Sequence, residues 1–171
     1  MKYLAPIMLA FCCGDDHWQR FPAEHCPKNE CLVWIAKDRP EGWTCDDLNK
    51  WERSIVPAYA RNLKGKWAAL GAEGICRNLQ KYRVFFADSE TFTLYHWLGL
   101  PKQEVYGATE CYSASIKVGN SKTNNAIFHE AGHAISMCVP PADCVDGDDC
   151  PHAGWKELGF EAAEIEARIS P

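Results

Sequence analysis

The chain has 171 residues and a mass of 19.2 kDa, enough for one domain with at most a small appendage, which excludes a second full domain. Apolar residues make up 47% and charged residues 24%, so disordered and low-complexity classes are excluded. With 18 basic against 23 acidic residues, a net charge of -5 and no long Lys/Arg cluster, the footprint of a nucleic-acid-binding face is missing.

Ten cysteines and seven tryptophans are the departures from average, and both suit a loop-rich, cross-linked fold. Residues 1–14 read as a signal peptide: one lysine, an apolar run interrupted by Pro6, then Cys12-Cys13-Gly14. The alternative is a buried N-terminal strand. Removal of that leader leaves Cys26, Cys31, Cys45, Cys76, Cys111, Cys138, Cys144 and Cys150, an even set compatible with four disulfides in a secreted chain. A rival places Cys26 and Cys31 with His17 or His25 in a structural zinc site.

The mature chain, 15–171, reads as a single domain, with an N-terminal wrap and kinked helix over 15–80 and a catalytic core over 81–171. Residues 15–43 form an irregular Cys/Trp-rich wrap in which 31–36 is a short buried strand or a turn of helix. Asp46 and Asp47 open a helix with apolar residues at Leu48, Trp51, Ile55, Tyr59 and Leu63; Pro57 is expected to kink it. The pattern resumes through Trp67 and Leu70, and Gly71 and Gly74 are expected to end it. Residues 82–87 read as a strand, and 105–109 with 112–118 as an antiparallel hairpin. Two helices follow. The first spans 124–138 and stops at Pro140-Pro141; the second spans 151–169 with an apolar stripe at Trp155, Leu158, Ala162, Ile165 and Ile169.

The first of these helices carries His129-Glu130-Ala131-Gly132-His133. Residues four apart lie one above the other on a helix face, so both imidazoles can point at one cation, while Glu130, about 100° away, reaches a water on it. Zinc acidifies such a water and polarises a carbonyl, with Glu130 as general base. A third ligand is required, and His152 is the first candidate, ahead of Glu161, Glu157 and Glu166. Glu157 and Glu164 fall on the solvated face of the second helix. The acidic loop with Asp143, Asp146, Asp148 and Asp149 reads as a solvated loop, with calcium binding as its alternative. Tyr106 and Tyr112 are candidate oxyanion stabilisers, against a packing role across the hairpin.

The stretch 106–169 resembles the minimal zincin metallopeptidases, most nearly the SprT-like arrangement. The resemblance rests on His129, Glu130, His133 and Ala134, then His152-Ala153-Gly154-Trp155. It implies that three histidines hold zinc and that Glu130 is the catalytic base; a gluzincin likeness would instead put Glu157 or Glu161 in the third position. The resulting expectation is an α+β zincin-like domain: a short antiparallel sheet, an HExxH helix, a C-terminal helix and a Cys/Trp-rich wrap. Its function would be hydrolysis of peptide bonds in a secreted, monomeric protein without stable membrane insertion. The substrate would lie along the sheet edge near 112–118. The alternative is a non-catalytic secreted binding domain in which HExxH is structural.

Overall fold

The computed structural model describes residues 31–35, 42–86, 92–94, 103–111, 113–119, 125–144 and 150–170. The expected leader, His17, His25, Cys26, Tyr112 and the acidic residues Asp146, Asp148 and Asp149 lie outside them.

Helix α1 (Cys45–Asn62) begins with a reciprocal cap. The Asp47 N–H donates to Thr44 Oγ1 at 3.2 Å and the Thr44 N–H donates to Asp47 Oδ2 at 2.8 Å, which satisfies two of the donors that a helix start leaves orphaned. It runs through Pro57 as a single helix and buries Leu48, Ile55, Ala58 and Tyr59. A 3-10 turn (Gly65–Leu70) then leads into α2 (Gly71–Leu79). Gly71 and Gly74 therefore do not end the helical region. Gly71, at φ +56°, turns the chain between the two elements, a conformation costly for other residues. Gly74 lets the first turn of α2 close on Leu70, whose Cβ would stand 3.1 Å from an added methyl.

Strands β1 (Val33–Ile35), β2 (Arg83–Phe86), β5 (Gly107–Glu110) and β6 (Ser115–Val118) form a four-stranded sheet in the order β1-β2-β6-β5. A separate antiparallel pair joins β3 (Phe92–Leu94) to β4 (Gln103–Val105). The expected antiparallel sheet is thus corrected to a mixed one: β5 and β6 form the antiparallel hairpin, but β1–β2 and β2–β6 are parallel. Parallel neighbours need a long crossover, and α1 and α2 supply it between β1 and β2.

Helix α3 (Ala126–Ile135) packs on β5 and β6 and contacts α1, α2 and α4. The C-terminal helix, α4 (Phe160–Ile169), starts well after residue 151, because residues 150–159 form a 3-10 turn (Cys150–His152) followed by successive turns. Gly159, at φ +87°, separates turns from helix, and a Cβ there would stand 2.0 Å from the Asn62 carbonyl oxygen. This resets the helical phase. Phe160, Ala163 and Ala167 are buried, whereas Ile165 and Ile169 of the expected stripe are exposed.

The core gathers Trp34, Leu48, Ile55, Tyr59, Ile75, Ile116 and Phe160 from every layer. Disulfides join Cys31 to Cys76, Cys111 to Cys138 and Cys144 to Cys150, and Cys45 is disulfide-bonded as well. Cys31 is therefore no zinc ligand. Three such bridges among the described residues suit an oxidising, extracellular environment. No described helix is long and apolar enough to cross a membrane.

Candidate metal centre

His129 and His133 stand one turn apart on α3, and His152 ends the 3-10 turn that follows the Cys144–Cys150 loop. One ligand atom from each of the three lies within 4.8 Å of the others, and Nε2 of His129 is 3.0 Å from Nε2 of His152. The Trp155 ring lies under all three, with centroids 4.8 to 4.9 Å from theirs. Gly132 makes that floor possible. A methyl group there would come within 2.7 Å of Trp155 Cη2 and 2.8 Å of Tyr59 Oη, well inside van der Waals contact. Tyr59 in turn donates to the Phe128 carbonyl at 2.7 Å, and burial raises its phenol pKa far above the ordinary value.

Glu130 is buried beside the triad. Thr109 Oγ1, on β5, lies 2.7 Å from Glu130 Oε2 and 3.1 Å from the Glu130 carbonyl oxygen. The strand comes this close because β5 starts at Gly107, where a Cβ would stand 2.7 Å from Ala126 Cβ and 3.0 Å from Glu130 Cγ. Burial raises the Glu130 carboxyl above its usual range, with the Thr109 hydrogen bond pulling it back. Burial, reinforced by the neighbouring charges of His129 and His152, pushes His133 down to about 3, so it is neutral near neutral pH.

Glu164, expected on a solvated face, is instead the polar neighbour of His129. Its side chain is 12% exposed, and its Oε2 lies 3.0 Å from His129 Nδ1. Arg168, one turn further along α4, donates to Glu164 Oε1. Burial opposes charge on both members of the pair. Together, their mutual hydrogen bond and the neighbouring charges outweigh it: Glu164 and Glu130 leave the His129 pKa raised, and His129 and Arg168 leave that of Glu164 lowered. The phase reset at Gly159 is why reading one continuous helix from residue 151 misplaces this carboxylate. The Glu164/Arg168 spacing of four on a helix starting after a glycine was the available signal.

The other candidates do not join the cluster. Glu157 and Glu161 are exposed, while Glu166 pairs with Arg61 and Asn62. Tyr106 is 61% exposed. His152 lies in a turn rather than on a helix, so its place in the triad comes from the loop and not from a helical face. The sheet edge is also reassigned: β6 is interior, and β5 is the outer strand beside α3 among the described residues.

A tetrahedral site with metal–nitrogen bonds of ~2.0–2.1 Å has nitrogens about 3.3 Å apart, close to the His129–His152 separation of 3.0 Å. One pair of the three imidazoles is thus near the spacing of a metal site and the whole set lies within 4.8 Å, so the group can hold a metal ion; nitrogen donors without a carboxylate suit a borderline divalent cation better than calcium or magnesium. No family model, curated protein or solved structure matches the chain.

Proposed function

We propose that the chain is a zinc-dependent hydrolase of peptide bonds. The observation that carries this reading is a buried carboxylate, Glu130, beside three convergent histidines, with one carboxylate oxygen fixed by Thr109. His129, His133 and His152 would hold the ion. Zinc at this position supplies Lewis acidity to a scissile carbonyl and acidity to a water.

The remaining work falls to the chain's own groups. Glu130 takes the water proton on Oε1, because Oε2 is occupied by the Thr109 hydroxyl. An extended peptide pairs along the outer edge of β5, which carries Thr109, by addition of a strand to the sheet. Tyr106, exposed immediately before that strand, stays the candidate phenol beside such a peptide. The disulfides favour a secreted protein working outside the cell.

The test is Glu130→Gln in the full chain, read by zinc content and by hydrolysis of an unstructured protein such as casein. The variant should keep about one zinc per chain and lose turnover by two orders of magnitude or more, because only the base is removed. Wild-type protein that holds zinc but cleaves no peptide would favour the non-catalytic binding domain.

A further inference from the structure

We propose that Glu164, held by Arg168, is the positioning residue of the metal centre: it fixes the His129 ring so that Nε2 faces His133 and His152 as a ligand. This inference rests on the metal-binding reading above.

The two nitrogens of the His129 ring have different partners. Glu164 Oε2 lies 3.0 Å from Nδ1, while Nε2 on the opposite side faces the triad, 3.0 Å from His152 Nε2. An ionised carboxylate can only accept, so the ring proton must sit on Nδ1, and Nε2 keeps its lone pair for a cation. Glu164 thereby acts through His129 and is not itself a fourth ligand, since it bonds the nitrogen that faces away from the set.

Arg168 completes the device. It engages Oε1 while His129 engages Oε2, so both carboxylate oxygens are tied and the group is held in one orientation. Glu164 is largely enclosed, at 12% exposure, whereas Arg168 is 41% exposed, so the arginine brings a solvated charge to the back of an enclosed one. Hydrogen bonds of this kind orient metal-ligating histidines and raise their basicity. The alternative is an ion pair that only fastens α4 to α3, with no bearing on the metal.

The two readings separate in a zinc titration of the full, disulfide-intact chain by competition with a chromophoric chelator, paired with the melting temperature of the metal-free protein. Under the proposal Glu164→Ala weakens Zn²⁺ binding by about 10- to 100-fold. Glu164→Gln, whose amide oxygen still accepts from Nδ1–H, falls between Glu164→Ala and wild type, and Arg168→Ala weakens binding less than Glu164→Ala. A purely structural pair would lower the metal-free melting temperature and leave the affinity within twofold of wild type, which overturns the proposal. Should Glu164→Ala fail to fold, Glu164→Gln alone decides, since wild-type affinity in that variant also overturns it. Wild-type protein that takes up no Zn²⁺ sinks the metal reading and this proposal together. Zinc uptake by wild type with an unchanged Glu164→Gln sinks only this one.

Discussion

Thr109 offers a single hydroxyl proton to two acceptors on Glu130, a side-chain oxygen at 2.7 Å and a backbone oxygen at 3.1 Å. Its bond to the carboxylate favours the ionised form, against the burial that raises the Glu130 pKa. A general base works ionised, so turnover should fall as the pH drops through that pKa. Thr109→Val removes the stabilising bond and nearly preserves shape. Its acid limb in a profile of kcat/KM against pH should lie at higher pH than that of wild type, with the two curves converging on the alkaline side; coincident acid limbs would separate Thr109 from the base. At this scale the sequence was informative where chemistry follows fixed spacing. His129 and His133 are readable from a helical repeat of four, Glu130 from its place directly after His129, and His152 from the third ligand that such a pair would need. Glu164 was not, because its neighbour lies 35 residues earlier in the chain and the helix carrying it begins at a break in phase.

At the scale of elements, the Cys111–Cys138 bridge joins the turn after β5 to the end of α3, the two elements that present Thr109 and Glu130. Both Met137 (φ +56°) and Cys138 (φ +58°) sit in the left-handed region, where non-glycine residues are costly. The bridge holds the chain there. Replacing both cysteines by serine should lower stability by roughly 3–4 kcal/mol, from the entropy of a loop of 27 residues, as read by denaturant unfolding. An unchanged midpoint would mean that packing alone fixes the junction. Helices α1 and α3 were legible because caps and apolar spacing are local signals, as was the β5–β6 hairpin with its short connection. The parallel pairing of β1, β2 and β6 was not. Alternation along a strand reports which face is buried, and nothing in it reports the direction of a partner distant along the chain, beyond α1 and α2 for β1–β2 and beyond β3, β4 and β5 for β2–β6.

For the molecule as a whole, the site gathers groups from most of its layers: β5, α3, the 150–152 turn and α4. A cation held there binds the folded chain and not the unfolded one, so it must stabilise the fold. At a free zinc concentration about 1,000 times Kd the gain should be ~4 kcal/mol, or roughly 10 °C in melting temperature for a chain of this size. Calorimetry with zinc and then with an excess of chelator, disulfides intact, checks this. Superimposable melting curves would mean that the three histidines do not bind zinc in the native protein.

Gly159 has a bearing on how the protein is made. His152 and Glu164 stand on either side of it, in the 3-10 turn before and the helix after, so both belong to the segment 150–169. His129 and His133 on α3 are synthesised first and alone would form an incomplete set of ligands. His152, which would be the third ligand, and Glu164 arrive only when the later segment 150–169 has been made and packs against α1. A nascent chain halted at Pro141 thus carries the full HExxH sequence without His152, and a centre that needs all three histidines would stay unassembled until most of the fold around it exists.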